Sequence, residues 1–193
     1  MNIETITFIK GIIGTDPIVT DPKKKIVFVG RSNVGKSSII NLLSGKKIAR
    51  SSSEPGKTRE INFFSLGKKR YFVDLPGYGY AKISGKAREK LRKHLLWFLF
   101  ESGVNLELVV LIIDSQVGLK PFDEEILEAF LERNIPFVLA ANKSDKLSQK
   151  EKYAISKTFE ERGITEHIVW TSAKTGKGKE ALRLRIFGEG GEM

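Results

Sequence analysis

The chain has 193 residues, of which 40% are hydrophobic and 29% charged, as is typical of a globular protein with one sizeable core. It has no cysteine and only two histidines, which excludes a disulfide framework and a zinc centre built on Cys or His ligands. Its apolar runs are too short to span a bilayer, and the N-terminus carries Glu4 without a basic leader. We therefore expect a cytoplasmic protein without stable membrane insertion, in which oxygen atoms bind any metal ion.

The net charge of +10 is carried by the first half of the chain. Residues 1–100 hold 20 Lys and Arg residues against 7 Asp and Glu, whereas residues 101–193 hold 13 against 16. The densest basic segment is 82–93, and smaller clusters lie at 23–25, 46–47 and 68–70. One such cluster is typical of a solvated helix face, but together they favour a polyanionic partner, and RNA is the polyanion we expect.

Strands and helices alternate along most of the chain, beginning with an apolar run at 26–29. Before it lies an N-terminal extension, residues 1–23, in which 5–12 can form an edge strand or an arm. A polar loop rich in turn formers occupies 51–59. The elements predicted after the first strand are, in chain order, a helix at about 36–45, strands at 61–66 and 70–75, a helix at 84–102, a strand at 106–113, a helix at 121–133, a strand at 136–141, a helix at 149–162, a strand at 167–171 and a helix at 178–187.

This alternation predicts a doubly wound α/β domain over residues 24–187. Its strands are apolar enough to be covered on both faces, so we expect helices on both sides of a mostly parallel sheet. The two strands at 61–75 form an antiparallel hairpin, which makes the sheet mixed. Residues 188–193 are rich in Gly and form a flexible tail. No separate interface element stands out, and we expect a monomer.

A phosphate-binding loop follows the first strand, because residues 30–37 match the pattern GxxxxGK[ST]. The helix that starts near Lys36 aims its free N–H groups and its positive dipole end at a phosphate. Lys36 reaches the β- and γ-phosphates, and the Ser37 hydroxyl suits a magnesium ion. A Gly-rich turn is the alternative, but the strand before the loop and the helix after it argue against it. The residues assigned to phosphate binding are Gly30, Arg31, Ser32, Asn33, Val34, Gly35, Lys36, Ser37 and Ser38.

Another motif lies at the end of the third predicted strand, where the sequence reads Asp74, Leu75, Pro76 and Gly77. Asp74 can hold a magnesium ion through water, and the Gly77 N–H can meet a γ-phosphate. Alone, this sequence is also typical of an ordinary turn. Its place at the carboxyl end of a strand, where ligands bind in open α/β sheets, favours the phosphate role.

Two motifs near the later strands indicate a binding site for the guanine base. Asn142, Lys143, Ser144 and Asp145 follow one strand, and Thr171, Ser172 and Ala173 follow the last. A carboxylate at 145 accepts hydrogen bonds from the N1–H and 2-amino groups of guanine, whereas adenine offers neither. An unpaired buried carboxylate costs roughly 1–3 kcal/mol, which sets the scale of the preference for GTP. At 171–173 a backbone N–H can approach the guanine O6, although this motif is weak by itself.

The four motifs, in this order, resemble the translation-factor-related class of P-loop GTPases over about residues 24–187. Within that class, residues 30–38, 55–58 and 74–81 are similar to those of the bacterial EngB family, also called YihA or YsxC. The resemblance implies the three-layer Ras-like fold of P-loop NTPases. It also implies a cytosolic GTPase that assists assembly of the large ribosomal subunit and whose loss disturbs cell division and septation.

The resemblance also assigns roles to the polar loop and to its neighbours. Thr58 would complete the magnesium shell with Ser37 and Asp74 when a γ-phosphate is present, and the loop would relax after hydrolysis. The groups that would act in catalysis are Lys36, Thr58, Gly77 and Asn33. The nucleotide contacts that it implies in this loop are Gly56, Lys57, Thr58, Arg59 and Glu60.

Tyr78 departs from the pattern of Ras-like enzymes, in which a Gln at this position orients the attacking water. We therefore expect slow intrinsic hydrolysis. Asn33 matches the asparagine that binds potassium in several related GTPases, so a potassium ion can supply the missing charge. The alternative is that Asn33 only braces the loop. Arg31 and Arg59 are further candidates for charge stabilisation, or for RNA binding.

Two other interpretations stay open. The chain could be a nucleic-acid or membrane-surface binding module in which the nucleotide is structural, because the helix at 84–102 is basic and amphipathic. It could also be a small-molecule kinase, which shares the phosphate-binding loop. The motif at 142–145 has no purpose in such a kinase, so the GTPase is favoured.

Overall fold

A computed structural model describes residues 6–49, 60–79 and 84–188. The described residues form a mixed sheet of seven strands in the order β1-β3-β4-β2-β5-β6-β7. The strands are β1 (Ile6–Ile12), β2 (Lys24–Gly30), β3 (Ile61–Leu66), β4 (Arg70–Asp74), β5 (Leu106–Asp114), β6 (Phe137–Asn142) and β7 (Ile168–Trp170). The α-helices are α1 (Pro17–Thr20), α2 (Lys36–Ser44), α3 (Gly85–Phe100), α4 (Pro121–Glu132), α5 (Gln149–Glu160) and α6 (Lys179–Phe187), with 3₁₀ turns at Ser144–Lys146 and Thr165–His167.

The strand directions confirm the mostly parallel sheet with one hairpin. The central strand β2 is parallel to both of its neighbours, β4 and β5, and β6 and β7 continue in the same direction. Only β3, among the described strands, runs against its neighbours. The carboxyl ends of the other six described strands therefore lie along one edge of the sheet, and the candidate site lies at this edge.

Helices cover both faces of the sheet, which confirms the three-layer arrangement. On one face, side chains of β2 such as Val27 and Val29 share a core with Phe98 of α3, Phe130 of α4 and Phe159 of α5. On the other face, Ile26 and Phe28 pack with residues of α2 and α6, namely Ile39, Ile40, Leu43, Leu182 and Ile186. Burial of each such side chain stabilises the fold by roughly 1.5–3 kcal/mol.

The N-terminal segment adds strand β1 to the edge of the sheet. It pairs antiparallel with β3, with a shift of register between Phe8 and Lys10. Two possibilities were predicted for residues 5–12, an edge strand or an arm, and the described part, residues 6–12, is an edge strand. Helix α1 was not predicted, although Pro17 at its first turn and Asp16, whose carboxylate caps it at Ile18 N–H (3.0 Å), are ordinary helix-start signals.

Predicted element ends differ from the observed ends by one or two residues. Strand β7 is shorter than predicted because His167 belongs to a 3₁₀ turn. Helix α6 begins at Lys179 because Gly178, at φ 75°, has the left-handed backbone of a residue outside the helix. The predicted tail at 188–193 falls outside the described residues except for Gly188.

The basic clusters at 23–25 and 68–70 contribute less exposed positive charge to the surface than the sequence suggests. Lys25 is fully buried, with its ammonium donating to the backbone carbonyl of Asp21. Arg70 forms a two-pronged ion pair with Glu107 (2.8 and 3.1 Å). Lys25 therefore adds nothing to a basic surface, because its strand turns it into the core, and the charge of Arg70 is largely neutralised.

Burial of Lys25 predicts a pH dependence of stability. Burial lowers the pKa of its ammonium below the ordinary value of 10.5. Because the unfolded chain then holds this proton more tightly, Lys25 makes the free energy of unfolding rise with pH between its lowered pKa and 10.5, by at most about 1.4 kcal/mol per pH unit. We expect Lys25→Met to flatten this rise in urea melts at pH 7 to 10. The exposed neighbour gives the control: Lys24→Met should keep the slope of the unsubstituted chain, and equal slopes for all three proteins would contradict the prediction.

Candidate nucleotide-binding site

The phosphate-binding loop joins β2 to α2, and two of its glycines are required by close contacts. A Cβ on Gly30 would lie 2.4 Å from the Ile112 carbonyl oxygen, and one on Gly35 would lie 2.4 Å from the Asn142 side-chain nitrogen. Gly35 also has φ 95°, a left-handed conformation that favours glycine. No side chain within the described part of the chain caps the first turn of α2, so its free N–H groups point toward the loop.

Lys36 and Asp74 meet at the edge of the sheet as an ion pair. Their side chains are only 11% and 8% exposed. The pairing of Phe28 with Asp74 between β2 and β4 positions the carboxylate beside the loop. Ser37 follows Lys36 in the first turn of α2. The site thus places a cation for phosphate next to a hydroxyl and a carboxylate, which are hard oxygen ligands that suit Mg²⁺.

The segment from Asp74 to Tyr78 lies directly on the phosphate-binding loop. Leu75 N–H donates to the Phe28 carbonyl (3.1 Å), which prolongs the contact of β4 with β2. The Ser32 hydroxyl donates to the Gly77 carbonyl (3.1 Å), and Ser32 N–H donates to the Tyr78 carbonyl (2.7 Å). A Cβ on Gly77 would lie 3.1 Å from the Ser32 Cα, so only glycine fits here without a shift.

Asn142 ties the guanine motifs to the phosphate-binding loop. Its buried side-chain amide donates to the Val34 carbonyl (2.8 Å) and accepts from Ala173 N–H (3.0 Å). Ser144 N–H donates to the Thr171 carbonyl (3.0 Å). These hydrogen bonds therefore connect three segments that are far apart in the sequence: the loop at 30–37 and the motifs at 142–145 and 171–173.

Lys143 bridges the loop and strand β5. It has a left-handed backbone (φ 64°), and its ammonium donates to the Asn33 carbonyl (2.7 Å) and to the Asp114 carboxylate (2.7 Å). Asp114 was missed in the sequence analysis. Its signal was available, since it ends β5 at the same edge of the sheet as the other motifs.

Asp145 accepts a hydrogen bond from the Ser172 hydroxyl (2.6 Å), which holds the pKa of its carboxyl below the ordinary value. The side chain therefore stays an ionised acceptor. Asp145 is exposed, so the prediction of a buried carboxylate at this position is wrong. The difference arises because Asp145 lies in the 3₁₀ turn after β6, beyond the buried end of the strand.

The side chain of Tyr78 points away from the phosphate-binding loop, although its backbone carbonyl contacts Ser32. Its ring is 4% exposed and packs edge-on against Phe122 of α4, with 4.7 Å between ring centroids. Its hydroxyl donates to the buried Asp123, and burial raises the pKa of the phenol well above its ordinary value. The phenol is therefore committed to Asp123 and not to water at the site, which agrees with the expected lack of a water-orienting group. The sequence carried no signal for Asp123.

Arg31 and Asn33, both in the phosphate-binding loop, contact different segments of the chain. The Arg31 guanidinium lies beside Gly79, where a Cβ would be 3.0 Å from Nε. Burial raises the pKa of Asp123 above its ordinary value, and the charge of Arg31 opposes that rise. Arg31 thus faces the segment after Gly77. Asn33 is exposed with φ 67°, and its carbonyl accepts a hydrogen bond from Lys143, whereas its side chain has no hydrogen bond to any described residue.

The polar loop predicted at 51–59 lies outside the described residues, and with it Gly56, Lys57, Thr58 and Arg59. Glu60 is described and exposed, and a Cβ on Gly11 of β1 would lie 2.5 Å from its carboxylate. Because β1 lies at the far side of β3 from the loop, Glu60 is not brought together with the other site residues.

Comparisons with known proteins agree with this geometry. The family model described as "50S ribosome-binding GTPase" matches residues 25–143, and the model of the elongation factor Tu GTP-binding domain matches residues 100–187. A probable GTP-binding protein EngB from Aquifex aeolicus (strain VF5) is 46% identical over 166 residues, which cover 84% of this chain and 89% of the relative.

Solved structures give the same answer. A crystal structure of a probable GTP-binding protein EngB has a TM-score of 0.70 and 32% identity, over 84% of this chain and 96% of that one. A crystal structure of Era in complex with MgGDPNP and nucleotides 1506–1542 of 16S ribosomal RNA has a TM-score of 0.62 and 26% identity, over 84% of this chain and 55% of that one. The fold, the four converging motifs and these similarities together make the chain a member of the EngB family of P-loop GTPases.

Proposed function

We propose that this GTPase binds GTP with Mg²⁺ at the described edge of the sheet, hydrolyses it slowly, and acts as a nucleotide-gated switch in assembly of the large ribosomal subunit. Normal cell division and septation would depend on that role. The observation that carries the proposal is that the motifs at 74–77, 142–145 and 171–173 converge on the loop at 30–37. Asn142 connects the two later motifs to the loop. Lys36 and Ser32 connect Asp74 and Gly77 to it.

In this proposal each group has one task. Lys36 and the N–H groups of α2 bind phosphate, while Ser37 and Asp74 hold the Mg²⁺ ion that neutralises charge on the β- and γ-oxygens. Asp145 accepts from guanine and is kept ionised by Ser172. Thr58 would complete the metal shell. Hydrolysis is slow because the Tyr78 hydroxyl is bound to Asp123 and leaves the attacking water without that polar partner.

The basic face of helix α3 supports a ribosomal RNA partner. Its exposed cations are Lys86, Arg88, Lys90 and Lys93, and the helix begins soon after the Gly77 motif. Trp97 and His94 stack beside them, with 5.7 Å between ring centroids, and such rings can stack on unpaired bases. The matched family model is named for binding the 50S ribosome, and the similar protein Era was solved with 16S ribosomal RNA.

The alternative of a membrane-surface module is less well supported. The apolar residues of α3 that would face lipid include Leu95, Phe98 and Leu99, and these are buried in the core. Within the described residues, moreover, no helix combines the length and apolar character needed to cross a bilayer. A cytoplasmic monomer is the form that we propose.

The Asp145 carboxylate yields a prediction on base specificity. Asp145→Asn removes the ionised acceptor for the N1–H and 2-amino groups of guanine, so the Kd for GDP should rise roughly 10- to 100-fold. Xanthine carries a 2-oxo group that an amide can donate to, so xanthosine diphosphate should become the preferred ligand. Titration with both nucleotides checks this. As a control, Glu151→Gln alters an exposed carboxylate on α5 and should leave both affinities unchanged.

Asn33 yields a prediction on monovalent cations. Its backbone is fixed by Lys143 while its side chain is exposed, so we propose that the side-chain oxygen binds K⁺ near the phosphates. GTP turnover should be several-fold faster in potassium than in sodium chloride. Asn33→Gly keeps the left-handed backbone (φ 67°) and removes the side chain, so its turnover should be equal in the two salts. Equal turnover in the unsubstituted protein would mean that Asn33 only braces the loop.

The cations of α3 yield a prediction on the partner. Lys90→Glu/Lys93→Glu should weaken sedimentation with large ribosomal subunits at least tenfold in the presence of GDPNP and reduce the salt dependence of binding. Lys150→Glu/Lys157→Glu makes the same charge change on the exposed side of α5 and serves as the matched control. Binding that ignores the nucleotide, or that both pairs of substitutions weaken equally, would refute nucleotide-gated docking through α3.

A further inference from the structure

We propose that Tyr78 and Asp123 form a positioning pair that holds Gly77 in place for the γ-phosphate of GTP. Tyr78 occupies the place of the water-orienting residue but contacts α4 instead. Its task would therefore be to fix the backbone of its neighbour, so that the site discriminates between GTP and GDP. The inference rests on the proposed binding of GTP at this site and is independent of any ribosomal partner.

The backbone at Gly77 is held on two sides. Toward the phosphate-binding loop, the carbonyls of Gly77 and Tyr78 accept from the hydroxyl and N–H of Ser32 (3.1 and 2.7 Å). Among the described residues, no acceptor is engaged by Gly77 N–H. The contacts with Ser32 therefore use the oxygen atoms of this segment and leave the donor that a γ-phosphate needs.

On the other side, the Tyr78 side chain anchors the segment to α4. The ring lies against Phe122, and the hydroxyl donates to one oxygen of Asp123, which is fully buried. The other oxygen of Asp123 accepts from Lys120 N–H (2.8 Å) at the start of α4. A buried carboxylate that is held at both oxygens cannot move freely, so it fixes the phenol and, through it, the peptide between Gly77 and Tyr78.

This anchor would raise the affinity for GTP but not the affinity for GDP. In the proposed site the Gly77 N–H would contact the γ-phosphate, whereas the β-phosphate would bind to Lys36 and the first turn of α2. If the anchor is lost, Gly77 must be ordered at the moment of binding, which costs conformational entropy. That cost falls on GTP and not on GDP, because GDP has no group that Gly77 N–H contacts.

The test is the ratio of the Kd for GDPNP to the Kd for GDP, measured with fluorescent mant derivatives in Mg²⁺. Tyr78→Phe keeps the ring and removes only the hydroxyl, and we expect the ratio to rise about 3- to 10-fold with a change in GDP affinity below twofold. Single-turnover GTP hydrolysis should fall as well. Asp123→Leu should raise the ratio similarly, and the double variant should be no worse than the worse single variant, because the two residues act through one contact.

Tyr71→Phe is the matched control, since Tyr71 is also a buried tyrosine and its hydroxyl lies 3.5 Å from Asp21, away from the site. Its ratio should not change. If Tyr78→Phe leaves the ratio unchanged, lowers it, or weakens both nucleotides equally, Tyr78 is only a packing residue and the inference is overturned. Should Asp123→Leu fail to fold by circular dichroism, the comparison of Tyr78→Phe with Tyr71→Phe still decides. Absence of GDP binding by the unsubstituted chain would instead refute the proposed function itself.

Discussion

The parallel pairing of β2 with both β4 and β5 is the constraint on which the site depends. It brings Asp74 level with Phe28, two residues before the phosphate-binding loop begins, and the next pairing brings Asp114 level with Asn142. A shift of one residue in either register would turn these side chains to the opposite face of the sheet. The apolar cores on both faces oppose such a shift, because Ile26 and Val27 are fully buried in different layers. The energy that stabilises the fold is thus the same energy that aligns the polar groups of the site.

Much of this arrangement could be predicted from local patterns. Buried strands are visible in the sequence as short apolar runs, and each motif of the site directly follows such a run. A parallel sheet therefore brings the motifs to one edge. Gly30 and Gly35 were predicted to belong to the phosphate-binding loop, and the structure has contacts at both positions that exclude a side chain. Asp74 was predicted to hold a magnesium ion from its place at a strand end, and the structure places its carboxylate in an ion pair with Lys36 of the phosphate-binding loop. Whether a segment forms a helix or a strand was predicted from the spacing of its apolar residues, and the same residues line the core in the structure.

What could not be predicted depends on partners that are distant in the sequence. Tyr78 and its acceptor Asp123 are 45 residues apart, and Lys143 and Asp114 are 29 apart. Lys25 stands beside Lys24 in one basic run, yet only Lys25 is buried, because alternation along β2 turns it toward Tyr71 and the carbonyl of Asp21. Asp145 shows the opposite error, since a motif at a strand end was assumed to be buried with the strand.

The side chain of Asn142 has a thermodynamic consequence for ligand recognition. One amide group supports the phosphate-binding loop through Val34 and the segment of the guanine motif through Ala173. The two halves of a nucleotide would therefore bind to one shared frame and not to two independent pockets. Ordering of that frame by either half lowers the entropy that the other must lose. The free energies of binding of guanosine and of pyrophosphate are then not additive, and the intact nucleotide gains from a linkage that neither fragment reveals alone.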